Sequence, residues 1–301
     1  MKKSINLSVL ATITATLFLV VGFQNCAPPK NSAGDNPDRT ASNLVVATPS
    51  PTFTFSISDP NNLVPDAAKK SLMMENLKAA TQLWAAKFNS SASLHVHVDV
   101  LQNPNNRFGG SSVTKIYNGT TFNGRWVAEE GAAYKLRTGI DANGTAPDIS
   151  IWVDPDYLNN EMWLDPTPYD RTNTTGRVPS NREDGVSVFM HELGHSFGFN
   201  GYFPDRNVPL PTGWIGLYDK FISVDANNKA WYSGANAVAA YGGRKIPLCI
   251  ETNYHMGNIA TSATDGLAYM LMTGNYFMYG HRYTIDNMTL AVLKDLGLPL
   301  K

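Results

Sequence analysis

Two histidines spaced four residues apart, with a glutamate between them, are the residues of this chain best suited to chemistry. They lie in the segment His191-Glu-Leu-Gly-His195. On a helix, residues i and i+4 share a face, so both imidazoles can bind one metal ion. Glu192 points about a quarter turn away, where its carboxylate can take a proton from a water beside the ion. The spacing therefore predicts a zinc site at which Glu192 is the general base for hydrolysis.

The residues around this segment predict a helix. Ser-Asn-Arg-Glu at 180–183 has the pattern of a capping box, which predicts that the helix begins at about Asn181. Gly198 lies where a left-handed residue can end it. The histidines point almost opposite to the apolar side chains, so we expect a buried apolar face and imidazoles that face a cleft. The apolar residues on that face are Val186, Phe189, Met190, Leu193 and Phe197.

A catalytic zinc site commonly has three protein ligands and an open position for water, so a third ligand must lie elsewhere. The pattern of residues leaves several candidates. His95 and His97 lie in an alternating segment typical of a strand, where both side chains project from one face. They are either a metal-binding pair or part of a polar outer face. His255 lies in a turn-rich segment, and His281 is either a polar group at the cleft or a surface loop residue.

The segment 191–199, His-Glu-Leu-Gly-His-Ser-Phe-Gly-Phe, resembles the beginning of the zinc-binding signature of metzincin peptidases. In the compact signature a third His follows three residues after the Gly, and that position is Gly201 here. The leishmanolysin-like branch is similar in that tens of residues precede its third His and its methionine turn. The resemblance implies that His255, 60 residues after His195, is the third ligand and that Met272 is the methionine of the turn.

The same resemblance implies an α+β fold of the zincin type. A mixed twisted sheet, a long helix and the active-site helix would form an upper subdomain, and an irregular lower subdomain would end in a C-terminal helix. Residues 201–250 would be an insertion between the second and third zinc ligands. Met270 is the alternative methionine. Glu251 would be the third ligand in a gluzincin-like arrangement, and Asp265 in an aspzincin-like one.

The resemblance extends to secreted bacterial metallopeptidases of the same type and covers about residues 53–300. We therefore expect residues 53–301 to form the catalytic domain. Four further segments carry this resemblance: 147–151, 184–186, 234–237 and 295–299.

The beginning of the chain has the pattern of an export signal. Two lysines precede an almost uncharged apolar run, 5–23, and Cys26 follows it. This resembles a lipoprotein precursor in which residues 1–25 are a signal peptide, the Cys26 thiol carries lipid, and 26–52 form a flexible tether. An uncleaved membrane anchor and an ordinary secretory peptide are the alternatives. The sequence thus predicts an exported protein, held in the cell envelope or secreted.

The composition limits the classes of partner and of stabilising bond. A net charge of −1 gives no reason to expect binding to nucleic acid. The 43% hydrophobic content is ordinary for a globular chain. Only two cysteines are present, so lipidation of Cys26 would exclude an internal disulfide and leave Cys249 as a small buried hydrophobic residue.

Periodicity and turn residues predict the secondary structure that surrounds the site. A long helix is expected over 66–88, a hairpin over 219–232, and a terminal helix from Thr284 to Leu296. Strands of the sheet are expected at about 94–101, 113–117, 125–128 and 147–153.

Two short acidic segments have the spacing of oxygen ligands for calcium. Asp141 and Asn143 lie in one, and Asp225 and Asn227 in the other. Neither has the full ligand set of an EF-hand loop, and such segments are commonly plain turns.

These features together predict a zinc metallopeptidase that hydrolyses peptide bonds of proteins outside the cytoplasm. Tyr276 or Tyr279 could assist the oxyanion of the tetrahedral intermediate. The alternative is a surface-anchored binding or adhesion protein on a degenerate peptidase scaffold with a structural zinc ion. An intact Glu192 argues against that alternative, because a structural site needs no base. The predicted ligands of the single catalytic Zn²⁺ are His191, His195 and His255.

Overall fold

The structure, a computed structural model, describes most of the chain after residue 47. The predicted signal peptide, Cys26, Glu251, Asp265 and Tyr276 lie outside the described residues. In the part that is described, no helix is both long enough and apolar enough to cross a membrane. The described ranges are 48–103, 107–172, 177–202, 213–227, 229–249, 255–257, 266–274 and 277–301.

The main sheet is mixed and has four strands: β1 (Thr52–Ser58), β2 (Ser93–Val100), β3 (Phe108–Ser112) and β6 (Ile149–Val153). Their order in the sheet is β1-β2-β6-β3. The first three strands are parallel, and β3 is antiparallel at one edge. One face of β2 is apolar and buried, with Leu94, Val96 and Val98 directed into the core.

Two helices pack together to complete the core. Helix α1 (Ala67–Ala85) begins after Asp66, whose carboxylate accepts hydrogen bonds from the amides of Ala68 and Lys69. This confirms the predicted long helix. The indole N–H of Trp84 donates to the Met190 carbonyl at 2.9 Å and so joins α1 to α4 (Gly185–Ser196).

The remaining elements are short and lie around this core. One three-stranded sheet contains β4 (Lys115–Phe122), β5 (Arg125–Glu130) and β9 (Trp214–Gly216). A second contains β10 (Ile222–Val224), β11 (Ala230–Tyr232) and β12 (Ile246–Pro247), of which β10 and β11 form the predicted hairpin. The two-residue strands β7 (Met162–Trp163) and β8 (Glu183–Asp184) pair with each other. The other helices are α2 (Gly131–Thr138), α3 (Pro155–Asn160), α5 (Ala235–Ala240) and α6 (Asn287–Asp295).

This architecture confirms the α+β class and corrects the predicted strands. The segments at 113–117 and 125–128 are strands, but they belong to a separate sheet rather than to the main one. The main sheet instead gains β1 and β3, which were not predicted. The terminal helix begins at Asn287 rather than near Thr284, because the Asp286 carboxylate caps it by accepting from the Thr289 amide.

The predicted beginning of the active-site helix was wrong. Glu183 is not part of a capping box, because its backbone pairs with β7 and its carboxylate accepts a hydrogen bond from the Tyr157 hydroxyl. The helix begins at Gly185, and Asp184 caps it by accepting from the Ser187 amide at 3.0 Å. The predicted one-sided burial was also wrong, since all residues of α4 are buried. Gly198 does end the helix, with a φ of +114°.

Candidate metal centre

Three imidazoles meet at one point of the structure. The Nε2 atom of His191 lies 3.0 Å from Nε2 of His195 and 3.0 Å from Nε2 of His255. One ligand atom from each residue can be chosen so that all three atoms lie within 4.8 Å of one another. His191, His195 and His255 are therefore close enough to bind a single metal ion.

Hydrogen bonds on the far side of two rings determine which nitrogen faces the centre. Nδ1 of His191 lies 2.7 Å from the Leu271 carbonyl, and Nδ1 of His195 lies 2.7 Å from the Phe199 carbonyl. A carbonyl oxygen only accepts, so each Nδ1 carries the proton. In a neutral imidazole the other nitrogen then has a bare lone pair. Both Nε2 atoms therefore present lone pairs to the centre.

Two bare nitrogens 3.0 Å apart repel each other unless a proton or a cation lies between them. Protonation is disfavoured, because burial lowers the pKa of His191 to about 3 and that of His195 to about 4. Ligand nitrogens about 2.0–2.1 Å from a tetrahedral zinc ion would be roughly 3.3 Å apart, close to the observed separation. The donor set therefore fits a divalent transition-metal ion with an imidazole preference.

The segment that carries His255 is held by the chain around Met272. The Cys249 amide donates to the His255 carbonyl at 3.0 Å, and the Met256 amide donates to the Met272 carbonyl at 2.8 Å. The His255 ring stacks on the His191 ring, with centroids 5.0 Å apart and planes 13° apart. Burial and the two neighbouring imidazoles hold the pKa of His255 well below its ordinary value. The third nitrogen is thus also kept neutral.

Glu192 is buried on the same helix, beside the edge strand β3. Burial raises the pKa of its carboxyl to about 8, and a hydrogen bond from the Gly110 amide works in the opposite direction. The close contact requires a glycine in β3, since a Cβ atom on Gly110 would lie 2.7 Å from the Glu192 Cβ and 2.8 Å from its backbone oxygen. Burial thus favours the protonated form of this carboxyl.

Met272 lies directly against α4. It is fully buried, and a Cβ atom on Gly194 would lie 2.5 Å from its sulfur. The preceding carbonyl, that of Leu271, is the acceptor for His191, and the Leu271 amide donates to the Asp286 carboxylate at 2.8 Å. Met270, the alternative methionine, packs at the margin of the core and is only half-buried.

The other candidates lie in different surroundings. The Tyr279 hydroxyl donates to the Glu161 carboxylate at 3.2 Å. His281 lies in a loop, where it is half-buried against the rings of Tyr269 and Tyr283. Phe277, which we did not predict from the sequence, contacts the His191 ring edge-on with centroids 5.1 Å apart.

His95 and His97 belong to the outer face of the main sheet. The Ser56 hydroxyl lies 2.7 Å from Nε2 of His95 and 2.7 Å from Nδ1 of His97, and Asp99 is 3.1 Å from the other nitrogen of His97. Within the described ranges, they are not part of a cluster of three metal-binding side chains. They form a polar ladder across β1 and β2.

The two calcium-like segments are turns. Asp141 accepts from the amides of Asn143 and Gly144 and from the Lys135 ammonium. Asp225 accepts from its own loop and from the Trp231 indole. Their carboxylate oxygens thus already accept hydrogen bonds from the protein.

A buried ionic network, not predicted from the sequence, holds the beginning of α4. Arg171 donates to both oxygens of the Asp184 carboxylate, at 3.1 and 2.6 Å, and Arg282 donates to Asp165 at 2.9 Å. Its members lie in the loop between β7 and β8, in β8 itself and in the segment before α6, so no local pattern predicts it. Because Asp184 also caps α4, its ion pair with Arg171 holds the beginning of that helix.

Comparisons of the chain with protein-family models, with curated proteins and with solved structures gave no match.

Proposed function

We propose that this protein is a zinc metallopeptidase acting on proteins or peptides outside the cytoplasm. The observation that carries the proposal is the convergence of three neutral imidazole nitrogens, two of them on the helix that also carries the buried Glu192. The Nδ1 hydrogen bonds of His191 and His195 are the kind of outer contacts that orient histidine ligands of zinc. Three protein ligands leave a fourth position for water or substrate, as in catalytic sites.

His191, His195 and His255 would hold the ion. When bound there, zinc supplies a Lewis acid that polarises a carbonyl group and lowers the pKa of water. Glu192 takes the proton of the attacking water and transfers it to the leaving amine. The Gly110 N–H keeps the Glu192 carboxyl in position. A cation held by the three histidines would favour the charged carboxylate of Glu192, which is the form that can accept a proton.

The position of the edge strand β3 favours a peptide as the class of substrate. In the described part of the chain, β3 pairs with β6 alone and is an edge strand of the main sheet. The Gly110 amide reaches Glu192 from β3. An extended peptide can pair with such an edge through its main chain, and its scissile bond would then lie near Glu192.

The contacts of Met272 support a metzincin of the leishmanolysin-like arrangement. Its sulfur lies under α4 at Gly194, and its neighbour Leu271 orients His191. We assign Met272 to the methionine turn and His255 to the third ligand after the insertion. The apolar run followed by Cys26 supports export and attachment to a membrane through lipid.

Cleavage of a mixed peptide library, followed by mass spectrometry, tests the proposal. We expect chelator-sensitive cleavage by the wild-type protein. Glu192→Gln should retain one equivalent of zinc and lose about 100-fold or more in rate, because it removes the base alone. Undiminished cleavage by Glu192→Gln would show that the base is misassigned.

Metal analysis of two histidine variants tests the ligand assignment. His255→Ala should lose most of its zinc, whereas the control His97→Ala should keep it. Zinc-loaded wild-type protein that cleaves no peptide would instead favour the binding or adhesion protein with a structural ion.

A further inference from the structure

A cavity separate from the histidine cluster lies near the beginning of α4, where β7 pairs with β8. Its volume is about 640 Å³, within the range usual for small-molecule sites. Two cationic residues, Lys69 and Arg182, line it together with several apolar ones. The apolar residues are Leu72, Leu158, Met162, Trp163, Leu164 and Pro179.

The two cations, Lys69 and Arg182, are held together by one residue. The Lys69 ammonium donates to the side-chain oxygen of Asn159, and the Arg182 guanidinium donates to the backbone oxygen of the same residue at 2.8 Å. Both cationic residues are half-buried. Asn159 therefore fixes two positive groups at the rim of one cavity.

These two charges are not neutralised by the protein. Within the described residues, no carboxylate lies within ion-pair distance of Lys69 or Arg182. The acid at this cavity, Asp66, accepts hydrogen bonds from the Ala68 and Lys69 amides at the start of α1. Burial and the charge of Arg182 lower the pKa of Lys69, and Asp66 only partly offsets them. An anion between the two cations would relieve their repulsion.

We infer that this cavity binds a carboxylate attached to an apolar body. The carboxylate would lie between Lys69 and Arg182, and the apolar body would contact Leu72, Met162 and Trp163. Arginine is well suited to bind a carboxylate with two parallel hydrogen bonds. A fatty acyl chain and the apolar C-terminal residue of a peptide share this chemistry. The inference does not depend on the proposed hydrolysis.

Calorimetric titration of the full chain with matched probes tests the inference. The probes are octanoate and N-acetyl-leucyl-leucine, each compared with its primary amide. Chelator-treated protein is used so that no ion at the histidines can bind the carboxylate. We expect saturable binding of at least one acid, about tenfold or more tighter than its amide, because hydrogen bonds to a charged group are lost in the amide. The tighter acid identifies the source of the ligand.

Two variants locate the binding. Lys69→Met and Arg182→Gln should each weaken binding of the acid about tenfold and leave binding of the amide unchanged. Lys78→Met is the control, because Lys78 lies on the same helix, is not among the residues that line the cavity and pairs with Glu75. Thermal unfolding checks that each variant is folded.

Equal affinity for acid and amide, no saturable binding of either acid, or wild-type affinity in both cation variants would overturn the inference. Glu192→Gln should bind the acids as the wild-type protein does. A failure of the hydrolytic proposal is therefore distinguishable from a failure of this one.

Discussion

The chemistry of single residues at this centre depends on burial more than on neighbouring charges. Burial lowers the pKa of His191 and His195 and raises that of Glu192. Each shift favours a neutral side chain in the metal-free protein. A dication would reverse the balance at Glu192, since positive charge favours the carboxylate. The proton affinity of Glu192 should therefore depend on whether the three histidines hold a cation.

This dependence predicts that Glu192 destabilises the metal-free fold at neutral pH. The unfolded carboxyl loses its proton near pH 4.5 and the folded one near pH 8, so stability falls as pH rises between these values. Glu192→Gln removes that loss. At pH 7.5 we expect the chelator-treated variant to gain about 2 to 4 kcal/mol in the free energy of unfolding, and at pH 4.5 no such gain. Denaturant unfolding at both pH values measures it.

The exposed residue Glu75 provides the control. Its pKa is lowered by the hydrogen bond from Lys78, so Glu75→Gln should give no gain at pH 7.5. A difference between wild type and Glu192→Gln that is the same at both pH values would contradict the assigned pKa.

At the scale of elements, the site depends on how closely three segments approach α4. Strand β3 contacts it at Gly110, and the Met272 segment contacts it at Gly194. The Trp84 indole on α1 bonds to it at Met190. The first of these contacts involves Glu192 and the second involves Met272. Loss of a glycine at such a contact should separate two elements rather than alter one side chain.

A double-mutant cycle at Gly194 and Met272 measures this contact. Gly194→Ala should cost about 1 to 3 kcal/mol of stability, because the new methyl group overlaps the Met272 sulfur. In a Met272→Ala background the sulfur is gone, and the cost of Gly194→Ala should fall markedly. Denaturant unfolding of the four proteins gives the coupling free energy. Strictly additive costs would show that the two residues are not in contact.

Short sequence patterns predicted the elements that depend mainly on neighbouring residues. The long helix α1, the β10–β11 hairpin and α6 follow from periodicity, caps and turn residues, and the four-residue spacing identified His191 and His195. The sequence Phe-Gly-Gly-Ser-Ser of β3 has no alternating apolar pattern, because its glycines serve close contacts with Trp152 and Glu192. The helix start was wrong since the partner of Glu183 is Tyr157, 26 residues away. The position of His255 likewise depends on contacts with distant segments.

At the scale of the whole molecule, the candidate metal centre joins two parts of the chain that are far apart in sequence. Helix α4 carries His191 and His195, and the segment at His255 is attached to the chain around Met272. The three imidazoles are neutral in the fold and titrate near pH 6.5 when it unfolds. A bound ion would stabilise the folded state by mass action and compete with protons for the same nitrogens. Stability should therefore depend on both metal and acid.

Acid unfolding of the metal-free protein tests this dependence. Below pH 6.5 the unfolded chain takes up protons at these histidines, whereas folded His195 and His191 do so only near pH 4 and pH 3. The contribution of these histidines to stability is fully present above pH 6.5 and should fall with acid by about 1.4 kcal/mol per pH unit for each histidine. Glu192 opposes this fall between pH 4.5 and 8, by about the contribution of one histidine.

The matched variant is His195→Gln, which cannot take up a proton. Its metal-free form should lose stability less steeply between pH 6.5 and pH 5 than the wild-type protein, by about 1.4 kcal/mol per pH unit. Denaturant unfolding at several pH values measures both slopes. Saturating zinc should raise the unfolding midpoint of the wild-type protein at pH 7, and this gain should shrink as acid protonates the released ligands of the unfolded state. Equal slopes in the two metal-free proteins would mean that His195 takes up its proton as readily in the folded state as in the unfolded one. That result would contradict the burial of His195.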